Sequence, residues 1–186
     1  MKTTVEREIK LRFNSPDEAR MALLTIGAKL VRSRRLQEDR LLDSPDGSLR
    51  RQQSLLRVRM EANKSHLTYK GPAQLSTMKV REEIETSIGN GTVLLKLLEK
   101  LGFTVWFRYQ KYREEFWYQN VIVAIDETPV GTFVEIEGDE KGITRTAQAL
   151  GKPPVEYILD SYRGLFLKYR DEHCLNRSNM VFDKEP

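Results

Sequence analysis

Val5-Glu6-Arg7-Glu8-Ile9-Lys10-Leu11-Arg12-Phe13 alternates without a break. Val5, Arg7, Ile9, Leu11 and Phe13 fall on one side of an extended chain, Glu6, Glu8, Lys10 and Arg12 on the other. A period of two marks a β-strand whose two faces meet different surroundings. The polar face is unusual, because every residue on it is ionised.

The same parity recurs along the chain. Beside an apolar face, the predicted strands carry Arg57 and Arg59; Lys70; Lys79, Arg81, Glu83 and Glu85; Lys111, Arg113 and Glu115; Asp126; and Glu135 and Glu137. An antiparallel sheet commonly keeps one wet face, and for any single strand that is the simpler reading. Taken together, like charges at i, i+2 such as Glu6/Glu8, Arg57/Arg59, Lys111/Arg113 and Glu135/Glu137 repel unless something offsets them. A ligand with several negative charges plus a divalent cation would offset both signs at once. Arginine and lysine match phosphate oxygens, and paired carboxylates are the hard donors that Mg²⁺ or Mn²⁺ prefers. Lys79 and Glu115 are weaker members of the set.

Working outward, Ser15-Pro16-Asp17-Glu18 predicts a helix start ahead of Ala19, Ala22, Leu23 and Ile26, with Gly27 as its stop. Strands are predicted over 28–34, 37–43, 54–61, 65–70 and 80–87, and later over 104–110, 111–118, 121–126 and 132–137. Ser44-Pro45-Asp46-Gly47 and Gly71-Pro72 read as turns, Arg50-Arg51-Gln52-Gln53 as a solvated loop. Helices are predicted over 91–101, its Leu-rich stripe lying on the sheet, over 143–150, and over 156–168 after Pro153-Pro154. Trp106, Phe107, Phe116, Trp117 and Tyr118 read as strand-borne core aromatics. The fold class is α+β, mainly antiparallel β, with one domain over 1–170 and a tail over 171–186.

The chain has 186 residues, 31 basic and 27 acidic. The two signs interleave, whereas a nucleic-acid binder concentrates its basic residues in a stripe or tail, so nucleic acid is not an expected partner. No apolar run is long enough for a membrane helix. One cysteine, Cys174, allows no internal disulfide and suits a reducing, cytoplasmic setting. His66 and His173 are isolated and offer no zinc spacing. No glycine-rich phosphate loop, G-x-S-x-G elbow or G-x-G-x-x-G fingerprint occurs.

Glu6-Arg7-Glu8-Ile9-Lys10 resembles the E-x-E-x-K signature of the CYTH proteins, the triphosphate tunnel metalloenzymes. Leu56-Arg57-Val58-Arg59, Leu67-Thr68-Tyr69-Lys70-Gly71-Pro72, Arg81-Glu82-Glu83, Lys111-Tyr112-Arg113, Ile125-Asp126-Glu127 and Phe133-Val134-Glu135-Ile136-Glu137 follow in the order of family strands. Gln37, Asp39 and Asp43 also fit, but Leu41 stands where members often have tyrosine, and the turn at 127–132 is poorer in glycine than usual. The resemblance covers about residues 3–169. It implies a closed eight-stranded antiparallel tunnel (β-barrel) with helices packed outside and a triphosphate in the lumen.

The resemblance also implies roles. Glu6, Glu8, Asp126, Glu135 and Glu137 would hold Mg²⁺ or Mn²⁺, and Lys10, Arg57, Arg59, Lys70, Arg81, Lys111 and Arg113 the phosphates. Glu6, Glu8, Lys10 and Lys70 are the candidate catalytic residues. The leading expectation is a metal-dependent phosphohydrolase of inorganic or small organic triphosphates, such as a nucleoside or thiamine triphosphate. The second is a class IV adenylyl cyclase, to which Ser161-Tyr162-Arg163 is somewhat similar, and the third a non-catalytic polyphosphate-binding module. A homodimer is expected by analogy only.

Overall fold

The computed structural model describes residues 2–62, 64–75 and 77–183. In chain order its elements are β1 (Lys2–Phe13), α1 (Pro16–Thr25), β2 (Lys29–Asp43), α2 (Ser48–Arg51), β3 (Leu55–Glu61), β4 (Lys64–Lys70), β5 (Gln74–Leu75), β6 (Lys79–Ile88), α3 (Gly91–Lys100), β7 (Thr104–Tyr118), β8 (Val121–Thr128), β9 (Gly131–Glu137), α4 (Glu140–Ala149) and α5 (Tyr162–Glu172). The strands hydrogen-bond in the order β1-β9-β8-β7-β2-β3-β4-β6, and β6 pairs back onto β1. That closes an eight-stranded antiparallel barrel, and β5 merely extends the β4 side of β6. Closure leaves the ring no open edge to satisfy.

Alternation within each strand then decides what lies inside. Ile9, Leu11, Val123, Ile125, Val134 and Ile136 point outward and are buried under Ala19 and Leu23 of α1 and Ile143 and Ala147 of α4. Each such side chain contributes about 1.5–3 kcal/mol on burial. The main core therefore lies outside the barrel, between wall and helices, and the ionised positions face the lumen. Local chemistry sets the covering helices: Ser15 Oγ accepts from Glu18 N at 3.1 Å with Pro16 at the first turn, and Asp139 Oδ1 accepts from Gly142 N at 2.8 Å.

Several expectations need correction. The segments 28–34 and 37–43 are one strand, β2, and 104–110 and 111–118 are one strand, β7, paired along their length. Register shifts near Arg32 and Arg35 and at Leu41/Leu42 break the period of two while the ladder continues, which makes one strand read as two. Residues 48–51, half of them read as loop, form α2, because the Asp43 carboxylate accepts from Leu49 N and Arg50 N at 3.0 and 3.1 Å. The last helix starts at Tyr162, not 156, because Ile158 exchanges backbone bonds with Lys10 at 3.0 and 2.9 Å before Ser161 caps it. The apolar stripe of α3 is only partly covered: this helix packs on the seven-residue strands β3 and β4, leaving Val93, Leu97 and Leu101 51%, 57% and 74% exposed. Among the described residues, no helix is long and apolar enough to cross a membrane.

The stretch read as a tail docks in part. Where β7 runs past the end of β8, Gln110 N donates to Met180 O at 2.8 Å and Met180 N to Arg108 O at 3.1 Å. Met180 is fully buried among Tyr109, Phe133, Tyr162 and Phe166. Met180→Ala should therefore cost about 2–5 kcal/mol in urea denaturation. An unchanged midpoint would mean that residues 171–183 do not support the barrel.

Candidate functional site

The lumen holds a cavity of about 530 Å³. β1 supplies Glu6, Glu8 and Lys10; β3 Arg57 and Arg59; β4 Lys70; β6 Lys79, Arg81, Glu83 and Glu85; β7 Lys111 and Arg113; β9 Glu135 and Glu137. With Arg50 and Arg163, ten basic side chains face six carboxylates, so the lining carries surplus positive charge. Every candidate residue except Asp126 lines this one space.

Strand register places the contacts. Glu6 lies opposite Arg81 and Glu8 opposite Lys79 across β1–β6, while Lys10 lies opposite Glu135 and Glu8 opposite Glu137 across β1–β9. Lys79 Nζ reaches Glu8 Oε1 at 2.7 Å, and Lys10 Nζ reaches Glu8 Oε1 at 3.0 Å and Glu135 Oε2 at 3.4 Å. Lys70 Nζ sits between Glu6 and Glu83, 2.6 Å from an oxygen of each. Asp39, fully buried, accepts Nε and Nη2 of Arg59 at 2.8 and 3.1 Å. Against the desolvation that raises it, the charges of Arg59 and Arg57 draw the Asp39 carboxyl down to about 2.

Asp126 departs from its expected place on the metal side. It lies behind the lining, fully buried, with Oδ1 accepting from Arg113 Nε at 2.7 Å and Oδ2 from Lys111 Nζ at 2.9 Å and the Tyr162 hydroxyl at 2.5 Å. These contacts occupy its oxygens and make it a holder of Lys111 and Arg113. Glu115 also lies outside the cavity: Arg35 Nη2 binds it at 2.6 Å and Arg35 Nε binds Glu61 at 2.9 Å, with Gln37 Nε2 on Glu61 at 2.5 Å.

Several groups in the lumen are not matched by these pairs. Arg81 has no hydrogen-bond or ion-pair partner among the described residues, and its Nε and Nη2 are buried. Burial lowers the pKa of Arg81 and Lys79, and burial followed by the charge of Arg113 pushes Lys111 down to about 8. On the acidic side, desolvation and then Glu6 and Glu135 push Glu137 up to about 7, although its residue reaches water at the rim. Desolvation also raises Glu6, with Glu8 and Glu83 adding to it against Lys70. Cations short of counter-charge suit a polyanion, and crowded carboxylates suit a hard divalent cation. Glu6, Glu8, Glu135 and Glu137 are the residues that fit such an ion. Among the described residues no three acidic, histidine or cysteine side chains already form a metal-ligating group, since lysines hold these carboxylates apart.

Parity found Glu83 and Glu85 on the ionised face without giving them a role. It missed Trp106, Arg50, Tyr109, Tyr162 and Arg163, which come from a strand irregularity, a short helix and the start of α5. His66, read as a surface residue, is half-buried with Nδ1 3.5 Å from Glu85, while His173 is exposed. Of the five aromatics read as core, Phe107 and Phe116 are buried, Trp106 lines the cavity and Trp117 is 44% exposed.

Comparison with known proteins gives a consistent result. The family described as CYTH domain is matched over residues 4–173. A Methanocaldococcus jannaschii protein named as a candidate adenylate cyclase is 31% identical over 134 residues, 72% of this chain and 76% of that one. A solved Pyrococcus horikoshii protein superposes with a TM-score of 0.74 at 27% identity, covering 89% of this chain and 99% of its own. A Vibrio parahaemolyticus structure described as a candidate adenylate cyclase shares the fold, with a TM-score of 0.77 at 20% identity and coverage of 89% and 99%.

Two tests follow from the ion pairs. Asp126→Asn leaves Lys111 and Arg113 buried without their anion and should cost about 3–5 kcal/mol in denaturant unfolding. Asp39 has a folded pKa below its unfolded value of 3.8, so its stabilisation is fully present above that value and is lost as pH falls through about 2. Between pH 4 and 2 the urea midpoint should fall, and Asp39→Asn should flatten that decline. Parallel pH profiles for the two proteins would show that the Asp39 pairing contributes nothing.

Proposed function

This chain belongs to the CYTH domain family, and from that premise we propose that it binds the triphosphate of a small substrate in the tunnel and hydrolyses it with a divalent cation. The observation that carries this reading is Arg81, whose buried guanidinium has no partner among the described residues in a cavity with surplus positive charge. Burying ions costs several kcal/mol each unless they are matched, so a cage of this kind is poor economy for stability alone.

In this reading Arg57, Arg59, Arg81, Lys111 and Arg113 align the phosphate chain from the β3, β6 and β7 walls, and Lys10 and Lys70 exchange carboxylate contacts for phosphate oxygens. Fixed cations around the chain stabilise charge that shifts among its oxygens during transfer, without a covalent step on the protein. Mg²⁺ or Mn²⁺ on Glu6, Glu8, Glu135 and Glu137 would supply neutralisation of phosphate charge and a lowered pKa for an attacking water. Asp126 acts at one remove, by holding Lys111 and Arg113 in place.

A cyclase uses the same cage with a ribose hydroxyl as nucleophile, and the name of the M. jannaschii relative favours that second reading. Incubating the protein with inorganic triphosphate, ATP and thiamine triphosphate, with Mg²⁺ or Mn²⁺, separates the two. Orthophosphate release is expected; cyclic AMP with pyrophosphate would replace hydrolysis by cyclisation, and binding without turnover would leave a binding module. Glu6→Gln combined with Glu8→Gln should abolish metal-dependent turnover with the circular dichroism spectrum retained. Arg81→Ala should weaken triphosphate binding by about tenfold to a hundredfold, the scale of one or two charge-assisted hydrogen bonds; unchanged affinity would remove Arg81 from the site.

A further inference from the structure

At the α5 end the cavity changes character. Leu41, Leu55, Trp106 and Tyr109 form its wall there, where every other strand position facing the ligand space is ionised. Trp106 comes to this wall through an irregularity: Leu41 pairs with Phe107 but Leu42 with Val105, so Trp106 is the extra residue on β7. A bulge of this kind re-aims one side chain without breaking the sheet, and such bulges gather next to functional sites. Without it, strict alternation would turn the indole away from the lumen.

Two arginines meet this indole. The guanidinium carbon of Arg50 lies 4.7 Å and that of Arg163 4.9 Å from the Trp106 ring centroid. Arg50 is aimed by Asp43, whose Oδ2 accepts its Nε at 2.9 Å. Arg163 has no hydrogen bond or carboxylate partner among the described residues, and burial together with the charges of Arg50 and Arg170 lowers its pKa. Two mutually repelling guanidinium groups held at one indole, beside an apolar wall and next to a phosphate-sized charged space, are costly to order for packing alone.

We propose that the Arg50, Trp106 and Arg163 cluster, with Leu41 and Leu55, receives the planar organic group of a triphosphate ester whose phosphates lie in the tunnel. The proposal rests on the triphosphate reading above and narrows it from inorganic to organic substrates. Stacking on an indole and on guanidinium planes suits any flat heteroaromatic ring, so the cluster selects for a ring rather than for one base. A further phosphate in place of the ring would face Leu41 and Leu55, which replace none of its lost hydration. The negative charge that follows the ring into the tunnel also relieves the repulsion between Arg50 and Arg163.

The test is calorimetric binding of MgATP and of magnesium inorganic triphosphate to the intact protein, to Trp106→Leu and to Arg163→Met, with melting temperatures as folding controls. The ratio of ATP affinity to inorganic triphosphate affinity should fall roughly tenfold to a hundredfold in Trp106→Leu, the scale of one lost base stack, and by a smaller factor in Arg163→Met. An unchanged ratio in both variants would overturn the proposal, as would equal loss of both ligands. Inorganic tetraphosphate binding that falls in Arg163→Met while ATP binding does not would overturn it in favour of a longer phosphate chain. If the unaltered protein bound neither ligand, the triphosphate reading itself would fail, an outcome distinct from a failed ring subsite.

Discussion

A carboxylate or guanidinium taken out of water must meet its counter-charge within a few ångströms, and a closed wall of eight strands offers partners only at fixed positions. Most features of the tunnel follow from that constraint. Lys70 bridges Glu6 and Glu83, Lys10 bridges Glu8 and Glu135, and Arg59 clasps Asp39 with both ends of its fork. Behind them Asp126 neutralises Lys111 and Arg113 from a position no ligand reaches, and Tyr162 of α5 ties that anion to the end of the barrel. What remains after these pairings is a set of cations around Arg81 and a crowded set of carboxylates around Glu137, and that remainder defines the chemistry available to a ligand.

How much of this was legible depended on whether a residue obeyed the period of two. Glu6, Glu8 and Lys10 could be assigned a common face because β1 is regular, and the same holds for Arg57 and Arg59, Lys111 and Arg113, and Glu135 and Glu137. Trp106 was hidden by the extra residue that turns it inward, and β2 and β7 were split by the shifts that let them curve around the barrel. Arg50 and Arg163 reach the cavity from short-range structures whose direction is set by Asp43 and Ser161, and no periodicity in sequence reports such direction. Asp126 obeyed parity and still misled, because parity gives the face of a strand but not how deep behind its neighbours a short side chain stops.

The two ends of the barrel differ in how they are sealed. At one end Ile158 bonds to β1 and Met180 to β7, each filling a stretch where a strand outruns its neighbour, and the ring of Tyr162 lies beneath the ammonium groups of Lys10 and Lys111 at 5.3 and 4.7 Å. Elsewhere Arg32, Arg35, Gln37, Glu61 and Glu115 satisfy one another apart from the cavity. Residues that could have extended the charged lumen are thereby withdrawn from it, which confines surplus charge to the space where a ligand would meet it.

The placing of the apolar core outside the wall has a consequence for folding as well as for chemistry. Each strand carries opposite commitments on its two faces, so a slip of one residue in any pairing would send Ile9 or Val134 into the lumen and Glu8 or Glu135 beneath α1 and α4. Such an error loses hydrophobic burial and strands unpaired charge in the same step. The ionised face that prepares the tunnel for a ligand thus also proofreads the barrel while it assembles, before any ligand is present.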